Sequence, residues 1–317
     1  MVALLVALIQ RIQAARRVLV LGIGGGGDVV GALAIARLCE ALGTQSVLGG
    51  VAWERFAVDP RPGPRPVEEI RGGERLAECA VLADAETTTD DGIAFAEAGV
   101  AGHLGARTVL IDVTRGAVGA AGGIGAAIER LECDLVLGVD VGGDVLGRGN
   151  EPGLASPLCD AVMVAAMLDI GRTRGALLGV IGAGCDGELS PEQVLDRVAA
   201  LGRAGAWLGT LGMSADLARE LERAAKRVPT EASLQVARCA RGETGTVQIR
   251  GGRREVQLGP VGALAFFFDP PAAIAELPLA DAVRDSQSID EARDALAALG
   301  VRTELDYERE RAAGTGA

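Results

Sequence analysis

Aromatic side chains are scarce in this 317-residue chain, at 3% (Phe 5, Trp 2, Tyr 1), so its interior must be assembled from Ala, Val, Leu and Ile. Gly 46 is high and serves turns and close helix-strand packing. The single histidine, His103, is in phase with Ala96 and Val100 of an Ala-rich helical stretch and reads as structural or surface. One histidine excludes His-rich zinc sites, and no nucleophile elbow points to Ser-His-Asp or Cys-His catalysis. Basic residues are outnumbered, Lys+Arg 31 against Asp+Glu 43 for a net charge of -12, and no basic run is interleaved with aromatics. That balance excludes nucleic acid as a partner but leaves small anions open, because glycine loops and bound cations act locally.

Close cysteine pairs are also missing. Cys39, Cys79, Cys133, Cys159, Cys185 and Cys239 are dispersed, without metal-ligand or redox spacing. Five read as reduced core residues, and Cys185, beside Asp186 in a glycine loop, stands apart. No long apolar run is present; Val2 to Ile9 is short and has no preceding basic residue, so neither a signal peptide nor a membrane span is expected. The expectation is a cytoplasmic protein with no membrane partner. No Gly-Lys-Ser/Thr follows the first glycine loop, which excludes an ordinary P-loop hydrolase.

What is present is an alternation of short apolar runs and helical patterns. Val18 to Leu21, a second run at 46 to 52, and runs at 79 to 84, 107 to 112, 134 to 139 and 176 to 182 read as strands. Helices are expected at 2 to 14, from Asp28 to about Ala41, at 92 to 104, from Ile124 to Leu131 after a glycine-alanine turn at 117 to 123, from Ser156-Pro157 to Asp169, and at 191 to 204, 214 to 227 and 230 to 240. Ser156 reads as a helix cap with proline in the first turn, and Ser190 with Gln193 as a capping box. The segment from Asp59 to Gly73 carries too many prolines for helix or interior strand and reads as an extended loop. A glycine-turned hairpin spans Thr246 to Leu258, Leu264 to Phe268 reads as a strand, Ser288 with Glu291 caps a final helix, and Val301 to Tyr307 reads as a returning strand.

The fold expected is Rossmann-like α/β, a three-layer, mostly parallel sheet with helices on both faces and a C-terminal β-hairpin addition. Residues 1-243 form the ligand-binding domain and residues 244-317 an α+β extension packed on the same core.

The loop Gly22-Ile23-Gly24-Gly25-Gly26-Gly27-Asp28 joins the first strand to a helix N-terminus, where backbone N-H groups face anions. Two further loops repeat the plan of strand, glycines and acid: Gly138-Val139-Asp140-Val141-Gly142-Gly143-Asp144, and Gly182-Ala183-Gly184-Cys185-Asp186-Gly187-Glu188. Asp112 ends another strand. Ligands of open parallel sheets bind beyond the strand carboxyl ends. Carboxylates converging there hold a hard divalent cation, Mg²⁺ foremost, and the cation bridges a substrate phosphate. Asp28, Asp140 and Asp144 are the candidate metal ligands. Asp140, Asp144 and Asp160 are the candidate catalytic acids, Asp160 because it extends an apolar helical stripe at its N-terminal end. Gly24, Gly25, Gly26, Gly27, Asp28, Gly142, Gly143, Gly184 and Asp186 are the candidate ligand-binding residues. A competing dinucleotide reading takes NAD(P) or FAD as cofactor and Glu54 as the ribose ligand; Asp28, close to the pyrophosphate position, counts against it.

The combination of Ile23-Gly24-Gly25-Gly26-Gly27-Asp28, Gly138-Val139-Asp140-Val141-Gly142-Gly143-Asp144, Ser156-Pro157-Leu158-Cys159-Asp160 and Gly184-Cys185-Asp186-Gly187-Glu188-Leu189 resembles an uncharacterised family of archaeal and bacterial proteins classed as a domain of unknown function. The resemblance covers most of residues 15 to 310 and implies no activity. The first glycine loop also resembles that of tubulin-like GTPases, but Gly142-Gly143-Asp144 is too short and too acidic for their second signature.

These readings converge on a protein that binds an anionic or nucleotide-like small molecule, such as a phosphorylated metabolite, at the strand ends, with metal-assisted transfer or hydrolysis as its chemistry. The alternatives are an NAD(P)- or FAD-dependent enzyme and a non-catalytic ligand sensor or assembly subunit. A homo-oligomer is left open.

Overall fold

A computed structural model describes residues 3–314, with side chains from residue 7 onward. Residues 1–2 and 315–317, which include Val2 at the start of the expected first helix and both outer ends of the two expected regions, lie outside the described residues.

Strands and helices alternate through the first two thirds: α1 (Ala3–Ala14), β1 (Arg17–Gly22), α2 (Asp28–Ala41) and β2 (Gln45–Val51). The proline-rich segment follows as loop and ends in β3 (Ile70–Arg71), β4 (Glu74–Ala77), β5 (Ala80–Ala83) and β6 (Thr88–Thr89). Next come α3 (Ala96–Leu104), β7 (Thr108–Ile111), α4 (Gly116–Leu131), β8 (Leu135–Val141), α5 (Pro157–Thr173), β9 (Ala176–Ile181), α6 (Pro191–Arg203) and β10 (Trp207–Gly212). The remainder is α7 (Ala215–Ala224), α8 (Ala232–Ala240), β11 (Gly245–Ile249), β12 (Arg254–Leu258), β13 (Leu264–Phe268), α9 (Pro270–Ala273), α10 (Pro278–Val283), α11 (Ile289–Ala298) and α12 (Glu304–Ala312).

Nine strands form one sheet in the order β10-β13-β9-β8-β1-β2-β7-β5-β4. The centre, β9-β8-β1-β2-β7, is parallel, while β5 and β13 run antiparallel to their neighbours. β1, β8 and β9 are apolar and buried along almost their whole length, as parallel strands covered on both faces must be. One large core beneath α4 and α5 and another beneath α2, α7 and α8 lie on opposite faces of the sheet. The chain leaves β1 toward β2 and β7 on one side and returns to β8 and β9 on the other. Strand order therefore reverses beside β1, and the loops after β1 and β8 open into the same crevice.

Three local expectations are corrected. The glycine-alanine turn at 117 to 123 is the first half of α4. A Cβ at Gly123 would come within 2.3 Å of the Cys79 carbonyl oxygen, so glycine lets this helix lie directly on the sheet, and packing outweighs a propensity cost of about 1 kcal/mol per glycine. The expected strand at 301 to 307 is helical from Glu304, because Thr303 and Asp306 form a capping box that overrides the alternating pattern. Ser156 precedes α5 but does not cap it; Glu304 accepts from the backbone N-H groups of Leu158 (3.0 Å) and Cys159 (2.8 Å) instead. The capping box at Ser190 and the cap at Ser288 form as expected.

Candidate functional site

The crevice at the strand reversal is a cavity of about 220 Å³ whose lining includes Gly24, Gly27, Asp28, Asp144, Asp160 and Asp186. The sequence places these residues there through three strand exits and, for Asp160, the first turn of α5. Gly24 is tightly constrained: its N-H donates to Asp28 Oδ2 at 3.1 Å, and a Cβ would meet that oxygen at 2.6 Å and Asp160 Oδ1 at 3.3 Å. Gly142 has φ +133, and a Cβ there would strike the Asp186 carboxylate at 2.3 Å. Each glycine thus makes room for a carboxylate rather than for the chain alone.

Six buried acids fall into two groups, each with one carboxylate oxygen per residue lying within 4.8 Å of the others: Asp28, Asp140 and Asp160, and Asp144, Asp186 and Glu188. The sequence reading grouped Asp28 and Asp140 with Asp144; the structure sets Asp160 beside that pair and Asp144 beside Asp186. Asp140 lies behind the cavity wall and accepts from the Gly143 N-H at 2.7 Å. Asp160 Oδ1 and Asp186 Oδ2 are buried and have no hydrogen-bond partner among the described residues, although both residues line the cavity. An unpaired ionised carboxylate in such a place is costly unless it protonates or meets a cation.

Burial pushes the Asp28 carboxyl up to about 6, partly offset by Arg55 and by the N-H groups of Gly24 and Val141. Burial and then Glu188 push Asp186 up to about 7. Asp140, Asp144 and Asp160 are raised well above the carboxylate range, first by burial and then by a neighbouring acid, foremost Asp28 for Asp140, Glu188 for Asp144 and Asp140 for Asp160. Glu188 goes the other way: burial opposes its charge, but Arg254 at 2.8 Å, the Ser156 hydroxyl and the N-H groups of Ala155 and Ser156 hold it ionised. This residue is already neutralised by protein, whereas Asp160 and Asp186 each keep an oxygen in reserve.

Arg55 and Arg250 also line the cavity, and sequence reasoning missed both. Burial opposes the Arg55 charge, yet Asp28, Glu188, Glu304 and Asp144 raise its affinity for the proton. Among the other expected residues, Gly25 and Gly26 have positive φ and turn the first loop, with the Gly26 N-H donating to the Trp53 carbonyl at 2.9 Å. Gly143 and Gly184 sit behind the wall, against Val194 and Pro191 respectively. Asp112 spends both oxygens on the backbone, at Val67 (3.0 Å) and Thr114 (2.7 Å). Glu54 reaches the cavity edge but accepts from the Ala96 N-H at 2.6 Å at the start of α3. His103 lies near Glu220, at 3.4 Å, away from this lining. No described helix is long and apolar enough to cross a membrane.

No curated protein and no solved structure matches the chain. A family model described as "protein of unknown function (DUF1152)" matches residues 19–312, and the chain belongs to that family.

Proposed function

We propose that this protein binds a hard divalent cation through its buried carboxylates and, with it, a phosphorylated small molecule on which it carries out phosphoryl transfer or hydrolysis. The observation that carries the reading is a pair of buried oxygens, Asp160 Oδ1 and Asp186 Oδ2, without a partner among the described residues and belonging to two residues that line the cavity. An all-oxygen donor set suits Mg²⁺, Mn²⁺ or Ca²⁺ rather than zinc. Asp28, Asp140 and Asp160 are the first candidates to hold the ion, and Asp144 with Asp186 stands close enough to serve a second ion or to take a proton from an attacking water or hydroxyl. Arg55 and Arg250 supply positive charge where a phosphate would otherwise face only acids. The dinucleotide alternative depends on Glu54, whose Oε1 is spent on the Ala96 N-H.

Calorimetric titration of the chelator-treated protein with Mn²⁺ tests the first half of the reading, and ³¹P NMR of phosphorylated metabolites incubated with protein and cation tests the second. Saturable Mn²⁺ binding that Asp160→Asn abolishes, in a variant still folded by circular dichroism, is the expected result. Absence of Mn²⁺ binding to the wild type at millimolar concentration would sink the proposal.

A further inference from the structure

The acidic cavity does not end at its own wall. It continues into a larger cleft of about 520 Å³ that shares Arg55, Ala57, Ser156, Glu188 and Arg250 with it. This outer cleft is lined by six arginines: Arg55, Arg250, Arg253, Arg254, Arg302 and Arg311. The concentration is unexpected in a chain of net charge -12.

The acids of the cleft do not cancel these charges equally. Glu304 is turned inward onto the N-terminal N-H groups of α5, and Glu308 accepts from the Gly63 N-H at 2.8 Å and the Trp53 indole at 3.1 Å. Glu188 is matched by Arg254, Arg302 pairs with Glu310, and Arg250 lies 3.7 Å from Glu231. Arg253 and Arg311 pair with no carboxylate among the described residues. Both donate instead to the hydroxyl of Tyr307, at 3.4 and 3.0 Å. The guanidinium of Arg311 also lies 5.7 Å from the ring centroids of both Phe56 and Tyr307. The only tyrosine of the chain therefore helps to orient two arginines that meet no carboxylate among the described residues.

Two guanidinium groups positioned by a neutral partner form a receptor for a phosphoryl group, since the planar forks donate in pairs to its oxygens. We propose that the ligand is a polyphosphorylated small molecule. One phosphoryl group lies at the carboxylate-bound cation, and a second, distal group is held in the outer cleft by Arg253 and Arg311, with Arg55 and Arg250 between the two. The inference rests on the cation-phosphate reading of the inner cavity and adds the class of substrate and the residues that select it.

The test is calorimetric titration of the full chain, with Mn²⁺ and separately with chelator, using orthophosphate, tripolyphosphate and ATP as probes. In Mn²⁺ the wild type should bind tripolyphosphate or ATP about a hundredfold more tightly than orthophosphate, each charge-assisted contact contributing about a factor of ten. Arg253→Gln with Arg311→Gln, at exposed positions, should erase at least tenfold of that preference while leaving Mn²⁺ binding unchanged. Equal affinity of the wild type for the three probes overturns the inference, as does a preference the double variant retains. If Mn²⁺ and orthophosphate fail to bind while tripolyphosphate still binds in chelator and is lost in the double variant, the outer cleft stands and the cation reading falls.

Discussion

Replacing Asp186 by asparagine should make the cation-free protein more stable at alkaline pH and less responsive to cations. Its carboxyl is raised from the ordinary 3.8 to about 7, by burial first and Glu188 second. Between those values the folded state retains a proton that the unfolded chain has released, so stability falls as pH rises through the window. At roughly 1.4 kcal/mol per pH unit, keeping this group ionised at pH 8 costs about 4 kcal/mol. Asparagine cannot ionise, and its amide oxygen can still accept from the Glu188 N-H, now 3.3 Å from Asp186 Oδ1. The attraction to Arg254 is already contained in that shift, so the gain at pH 8 is about 4 kcal/mol, or roughly 6 °C in Tm for a chain of this length. Thermal unfolding in EDTA from pH 4.5 to 8.5 reads the difference, which should be near zero at the acid end and grow with pH. Adding Mn²⁺ should reverse the order, because only the wild type gains ligand-linked stability. A variant destabilised equally at every pH would refute the reasoning and make the carboxylate a structural acceptor.

Cation affinity itself should fall as pH drops from 8 to 5, since binding must displace protons from Asp28, held at about 6, and Asp186, at about 7; titrations in buffers of different ionisation enthalpy count the protons released. Gly142→Ala should cost about 2–4 kcal/mol, because its Cβ meets the Asp186 carboxylate and its φ of +133 disfavours a side chain; urea unfolding measures the loss, and the cation response should disappear with it. Glu304→Ala should cost about 1–2 kcal/mol near pH 5, where a carboxyl that burial raises to about 7 pays no charge penalty, since two N-H groups at the start of α5 lose their acceptor; unchanged stability there would deny Glu304 its capping role.

The α/β architecture is legible in the sequence because its strands are short apolar runs separated by capped helices, and the strand-end rule directs attention to the acids after β1, β8 and β9. The glycines beside those acids carry a further signal, since Gly24 and Gly142 are required by the neighbouring carboxylates rather than by a bare turn. The basic half of the crevice is not legible. Arg250, Arg253 and Arg254 look like solvent-facing hairpin positions, and Arg311 belongs to a helix whose first residues alternate like a strand. Their convergence depends on how the hairpin and α12 fold back over the loop after β2, a long-range contact that no local period encodes. Glu304 as the cap of α5 is hidden for the same reason.

β13 enters the sheet between β9 and β10, strands that leave the ribosome long before it does. Until residues 264–268 are made, β9 has an open edge and β10 has no neighbour to pair with, so a nascent chain cannot finish its sheet in the order in which it is synthesised. Glu304, Arg302 and Arg311 arrive later still. The growing chain therefore holds the acids between Asp28 and Glu188 with Arg55 alone among the cavity's arginines, before Arg250, Arg254 and Arg311 have been translated, and assembly of the crevice waits for α12.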